Sequence, residues 1–155
     1  MENDGFQISD ASLVSEVDKR TIAYWADSGF IEPSLQAGTG KGSQRLYSFE
    51  DVVWLRVSGR LRLLGLSLQA MRPLVKTLKP RLQWHLESRN GTEPVYLVAS
   101  PHEMDFFQGQ QWVHLIITRQ MDGPWVILDL THTIMEMKQG FWVRGIPINK
   151  GDGSP

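Results

Sequence analysis

The residues with the sharpest chemistry in this sequence are cations and hydroxyls, and they fall in two short clusters. Lys19-Arg20-Thr21 with Tyr24 form one; Lys41, Gly42, Ser43 and Arg45, followed by Tyr47, form the other. Such groups suit anionic oxygens and base edges: arginine is a planar fork, lysine a point charge, and serine and threonine are adaptable partners. A helix whose first turn offers Lys19, Arg20 and Thr21 outward, with Ile22, Trp25 and Ala26 toward a core, can present its N-terminal end to base edges in the major groove. The second cluster lies in a glycine-rich loop, where glycines let backbone amides approach phosphates closely. Lys41, Ser43 and Arg45 can then follow the sugar-phosphate backbone or enter the minor groove as a basic wing. Solvated helix faces are the plainer reading of the same charges.

No comparable set supports catalysis or metal binding. The four histidines, His85, His102, His114 and His132, have no paired ligand spacing. Cysteine is absent, which removes disulfides, cysteine nucleophiles and thiolate metal sites. Glu103, Asp105, Asp129 and Glu136 read as helix caps or solvated faces rather than a carboxylate pair. Ser9, Ser28 and Ser100 lack a nucleophile-elbow context. Neither an enzyme nor a cofactor is expected.

The clusters sit in a chain of 155 residues, 41% hydrophobic and 21% charged, the composition of a folded globular protein. Its net charge of −1 is a cancellation. Positions 18 to 81 carry eleven bases against five acids, whereas 82 to 155 carry five bases against eight acids. A basic half joined to an acidic half points to an anionic partner for the first. The N-terminal MENDGFQISD is acidic and polar where a signal peptide is basic and then apolar, and no apolar run reaches the roughly 20 residues of a membrane span. A cytoplasmic protein with no membrane partner is expected.

The elements that must position these residues are legible in outline. Ser9 or Asp10 caps a short helix over Ala11 to Val14; Asp18 caps a second over Lys19 to Ser28, closed by Gly29. Gln36 to Gln44 reads as a glycine-rich turn between short extended arms. Ser48 opens a third helix with Val52, Val53, Leu55, Val57, Leu61 and Leu64 as its apolar positions. Gly65 ends it, and Ser67 caps a fourth, with Leu68, Met71, Leu74, Val75 and Leu78 at helical spacing until Pro80. Pro73 inside this pattern predicts a kink or a late start. The second half is richer in β-branched and aromatic residues. Val95–Ala99, Trp112–Thr118 and Trp125–Leu130 read as strands, Ser100-Pro101-His102-Glu103 as the cap of a short helix to about Gln108, and Thr131 or Thr133 as the start of a helix to Gly140. Trp25 and Trp54 belong to the first core. Trp84, Trp112, Trp125 and Trp142 pack a small β core, line a pocket or form a dimer face.

The segments R-T-I-A-Y-W (20 to 25), G-F-I-E-P (29 to 33), R-L-Y-S-F-E-D (45 to 51) and R-L-L-G-L-S-L-Q (62 to 69) stand in an order and spacing that resemble the winged helix-turn-helix of the MerR family of bacterial transcription regulators, over residues of about 8 to 80. The resemblance implies a homodimer on an inverted repeat of double-stranded DNA. It places Arg20, Thr21 and Tyr24 on the recognition helix and makes Arg45 and Tyr47 close the wing. Two departures stand out: Ala23 occupies a position where the family often has arginine, and the wing loop is longer and richer in glycine. The family usually continues into a long antiparallel coiled coil, whereas here Pro80 interrupts the fourth helix and no heptads follow over 84 to 149. That region is instead similar to the middle of MerR-like proteins found as antitoxin-type partners of small toxins.

The expected architecture is α+β: a winged helix-turn-helix DNA-binding domain at 1 to 83, a small strand-rich dimerisation, sensor or partner-binding domain at 84 to 149, and a disordered tail at 150 to 155. The expected function is a dimeric, sequence-specific transcription regulator. The alternative is an antitoxin-like or adaptor protein that binds a partner through its C-terminal part and regulates its own operon.

Overall fold

A computed structural model describes residues 5–38, 44–87, 93–118 and 124–146, without the side chains of 85–87. The tail at 150 to 155 and Lys41, Gly42 and Ser43 lie outside the described residues. Two compact units emerge: Met1–Arg60 together with Glu136–Pro155, and Leu61–Met135.

The first unit begins with α1 (Ile8–Ser15) and α2 (Lys19–Asp27). The first helix starts earlier than its polar residues suggest: Gln7 is the N-cap without a side-chain bond, so Ser9 and Asp10 lie in the first turn. Its end is held by Glu16 in the left-handed region, φ 63°, with its amide on the Ser12 carbonyl. Asp18 then caps α2 in an extended conformation, as its type and position predict. The far end of α2 is a double backbone closure. Gly29 at φ 75° donates to the Ala26 carbonyl, and Phe30 donates to the Trp25 carbonyl at 2.9 Å. The same two residues meet through their rings, edge to face at 5.3 Å, so the G-F-I segment works as a helix stop with a hydrophobic latch.

From there the chain forms short extended arms. Leu46 pairs with Gln36, and Tyr47 exchanges two backbone hydrogen bonds of 2.8 Å with Phe6. Helix α3 (Phe49–Leu63) opens on a reciprocal cap: the Asp51 amide donates to Ser48 Oγ at 3.1 Å, and the Ser48 amide to Asp51 Oδ2 at 2.9 Å. The same carboxylate oxygen accepts from the Ser34 amide and hydroxyl at 2.8 and 2.7 Å, tying the outgoing arm to the helix start. Residues 51–58 of α3 are all buried, which fits a helix with apolar residues on every face. Trp25 and Trp54 are core residues, 4% and 1% exposed, as expected; Leu64, expected in an apolar face, is 60% exposed.

The second unit takes α4 (Leu68–Leu78), a 3₁₀ turn (Lys79–Arg81), α5 (Leu82–Glu87), β1 (Val95–Ala99), β2 (Met104–Gln108), α6 (Gln111–Ile117) and β3 (Val126–Asp129). Ser67 caps α4 through the Ala70 amide at 3.1 Å, and Met71, Val75 and Leu78 form its buried side. The helix runs through Pro73, so the proline marks no late start. Pro80 ends the α-helical bonding, but the dihedrals stay helical through the 3₁₀ turn into α5. The sheet has three antiparallel strands in the order β2-β1-β3. The chain is thus α+β, as expected.

Three sequence expectations for this half are corrected. Ser100 does not start a helix: its Oγ accepts from the amides of His102 and Glu103 at 3.2 and 3.0 Å, closing a turn between β1 and β2. Cap and turn use the same hydroxyl chemistry, and the following period decides; Met104 and Phe106 alternate inward, as a strand requires. Trp112–Thr118 is not a strand but α6, whose turn is visible in the Thr118 amide on the His114 carbonyl at 2.9 Å. Both edges of β1 are already occupied by β2 and β3, and Gly109 at φ 55° turns the chain off the ladder. Finally, α7 (Leu130–Val143) begins before Thr131, with Asp129 Oδ1 accepting from the His132 amide at 2.9 Å. It passes through Gly140 and closes at Gly145, φ 70°.

Candidate nucleic-acid interface

The interface is built on the first turn of α2. Asp18 Oδ1 accepts from the Thr21 amide and Oδ2 from the Thr21 hydroxyl, both at 2.9 Å. These bonds hold the Asp18 carboxyl below its ordinary pKa, the backbone bond first. Lys19 and Arg20 are exposed in that same turn, and the adjoining Asp18 carboxylate is engaged by Thr21. Two cations at the positive end of a helix are unfavourable for the helix itself. They concentrate positive charge on an exposed face, which suits a phosphate or a guanine edge.

Tyr24, 59% exposed, follows Arg20 one turn later, on the same face. Thr21 is half-buried and its hydroxyl is engaged by Asp18, so it first shapes the turn that carries its neighbours. Arg45 reaches from the returning arm to the other end of α2. Its Nη2 pairs with the Asp27 carboxylate and its Nη1 donates to the Ala23 carbonyl at 3.4 Å. Tyr47 is fully buried. Burial pushes its phenol pKa up, against the nearby Arg45 charge, and its hydroxyl has no hydrogen-bond partner among the described residues.

The structure thus brings together Lys19, Arg20, Thr21, Tyr24 and Arg45 on and beside one helix, and sets Tyr47 beneath them in the core. Two residues outside the expected contact set shape this arrangement: Asp27, the partner of Arg45, and Gly38 of the glycine-rich turn. At φ 70° a Cβ on Gly38 would stand 2.6 Å from Arg45 Cγ, so the glycine makes room for that side chain. Arg56 is one of the eleven bases between 18 and 81. Arg56 is buried, with Nη1 on the Val14 carbonyl at 2.9 Å and Nη2 on Glu136 at 3.1 Å. A lone arginine in the apolar run V-V-W-L-R-V was the available signal.

A short helix, a tight turn, a second helix with an exposed cationic first turn and a braced β arm define a winged helix-turn-helix domain. Residues 6–78 match the MerR HTH family regulatory proteins, and this stretch is a MerR-type HTH domain. Uncharacterized HTH-type transcriptional regulators of Mycobacterium bovis and Mycobacterium tuberculosis are each 32% identical over 113 residues, which cover 70% of this chain and 50% of theirs. The chain therefore spans about half the length of these curated relatives. Among the described residues no helix is long and apolar enough to cross a membrane.

Proposed function

We propose that the chain is a sequence-specific DNA-binding transcription regulator that works by stoichiometric binding, not catalysis, as a homodimer on an inverted repeat. The observation that carries this is the exposed Lys19-Arg20 pair in the first turn of α2, where the one adjoining carboxylate, Asp18, is engaged by the Thr21 amide and hydroxyl. Residues 1 to 83 supply the DNA contacts. Arg20 is the leading base or backbone contact, Lys19 and Tyr24 lie beside it, and Lys41, Gly42 and Ser43 belong to the wing. Arg45 and Tyr47 act from behind, one bracing the wing to α2 and the other anchoring it in the core. In a dimer the two recognition helices stand about one DNA turn, roughly 34–36 Å, apart.

Residues 84 to 149 serve dimerisation, sensing or partner binding in this proposal. Within that range α6 contains Trp112, Val113, Leu115, Ile116 and Ile117, yet none of its residues is buried, and Ile117 and Trp84 are 73% and 63% exposed. That apolar exposure favours a protein contact, so an adaptor that captures a partner there is the second reading. The test is binding to the DNA upstream of its own gene at several salt concentrations, with Arg20→Ala and Arg45→Ala. Each substitution lowers affinity while the protein stays folded, Arg20→Ala by about 1–3 kcal/mol if it reads a base. Unchanged affinity in both overturns the assignment.

A further inference from the structure

We propose that the carboxyl-terminal half of α7, residues 136–143, positions the DNA reader. Glu136 acts through Arg56 on the turn between α1 and α2, and Phe141 acts through Phe6 on the wing arm. The inference rests on the DNA-binding reading and reaches beyond the family match, which ends at residue 78.

The first path starts from a buried charge. Arg56, its side chain 9% exposed, donates to the Val14 carbonyl in the last turn of α1, so α3 holds the end of α1 through one guanidinium. A cation so placed needs a counter-charge. Glu136 supplies it at 3.1 Å and also faces Arg60 at 3.6 Å. Glu16, at 3.6 Å from the same guanidinium, is a second carboxylate and sits in the turn itself with φ 63°. With Glu136 neutral, Arg56 is left to Glu16. The pull on that turn changes, and with it the placement of Asp18, Lys19 and Arg20.

The second path is aromatic. Phe141 is fully buried and stacks on Phe6 at 4.5 Å, with the Phe49 ring at 6.0 Å. Phe6 in turn exchanges both backbone hydrogen bonds with Tyr47, two residues from Arg45. The ring of Phe141 therefore backs the arm from which Arg45 reaches Asp27. Gly145 and Ile146 close α7 by donating to the carbonyls of Trp142 and Phe141 at 3.0 and 2.9 Å, which fixes the helix end at this contact. Neither Glu136 nor Phe141 is among the proposed DNA contacts; both are positioning residues.

The test uses the full chain, with Glu136→Gln and Phe141→Leu, affinity for its upstream DNA, and residue-resolved amide exchange without DNA. Glu136→Gln is expected to weaken binding roughly tenfold. It should lower protection at Glu16 and Ile22 and spare Phe6 and Tyr47. Phe141→Leu should weaken binding with the opposite pattern, losing protection at Phe6 and Tyr47. Unchanged affinity in both variants, or a uniform loss of protection across the chain, overturns the proposal. Selective loss of protection in a protein whose wild type binds no DNA overturns the DNA-binding reading instead, and supports the two positioning paths.

Discussion

Gly59 lies where α3 meets the turn that orients the recognition helix, and replacing it by alanine sets two known effects against each other. A Cβ at this position would stand 2.7 Å from Val17 Cγ2. Val17 is 8% exposed and has little freedom to retreat: its carbonyl accepts from Ser12 Oγ at 2.7 Å, and its amide donates to Ser15 Oγ at 3.2 Å. Alanine for glycine inside a helix gains about 1 kcal/mol of propensity. Overpacking a tight contact costs about 1–3 kcal/mol. The net expectation is a loss of up to about 2 kcal/mol. Val17→Ala alone removes two methyl groups, or about 1.6 kcal/mol at roughly 0.8 each. In the double variant the new methyl occupies the vacated space, so Gly59→Ala becomes stabilising there, with a coupling of about 1–3 kcal/mol. Urea unfolding of the four proteins reads this from the midpoints at constant m-value. Because Val17 adjoins the Asp18 cap, DNA affinity should fall in Gly59→Ala and recover in the double variant. A Gly59→Ala protein stabilised by the full propensity gain, with zero coupling to Val17, refutes the reasoning.

Gly38→Ala combines a left-handed φ of 70° with a Cβ 2.6 Å from Arg45 Cγ and 3.1 Å from the Arg45 amide nitrogen. It should cost about 1–3 kcal/mol in urea unfolding and lower DNA affinity by displacing the Arg45 brace. For Asp18 the folded pKa is lowered, so its contribution is present above the unfolded pKa and is lost as pH falls through the folded one. Asp18→Ala should melt earlier than wild type at neutral pH and show a shallower acid limb; parallel acid limbs would count against the cap. For Tyr47 the folded pKa is raised, so stability is intact below the unfolded phenol pKa and falls as pH rises past it. Tyr47→Phe should be neutral or stabilising at pH 7 and should lose that alkaline decline, as read by melting temperature against pH.

What was legible in the sequence was what is decided within one turn of chain. Asp18, Ser48 and Ser67 cap helices because their short oxygens reach amides three residues on, and Gly29 with Phe30 ends α2 because glycine tolerates positive φ while the next ring latches on Trp25. The outward placing of Lys19 and Arg20 in the first turn of α2 was legible for the same reason. What was not legible depends on partners distant in sequence. The run W-V-H-L-I-I is β-branched enough for a strand, but the available edges of β1 belong to β2 and β3, and the run coils into α6. Ser100 has identical local chemistry in a cap and in a turn, so only the ladder from β1 to β2 separates them. The pairings of Arg45 and Arg56 were hidden because Asp27 lies 18 residues from the first, and Glu136 lies 80 from the second.

These long-range pairs change the meaning of the charge count. Eleven bases between 18 and 81 suggest a broad positive surface, yet Arg45 is tied to Asp27, Arg56 and Arg60 to Glu136, and Arg81 faces Asp105 at 3.8 Å. Those four arginines are paired within the chain, and their charges are partly answered there. Lys19 and Arg20 are different in kind: both are exposed, at the helix end whose dipole repels them, and the nearby Asp18 carboxylate is engaged in the helix cap. The helix dipole disfavours two cations there, whereas an external anion rewards them. Neutralising Lys19 with Lys19→Gln should therefore leave stability unchanged or slightly raised, while lowering DNA affinity and flattening its salt dependence by about one unit of slope. A stability loss with an unaltered salt slope would place the lysine among the structural cations and remove the electrostatic argument for this helix as the reader.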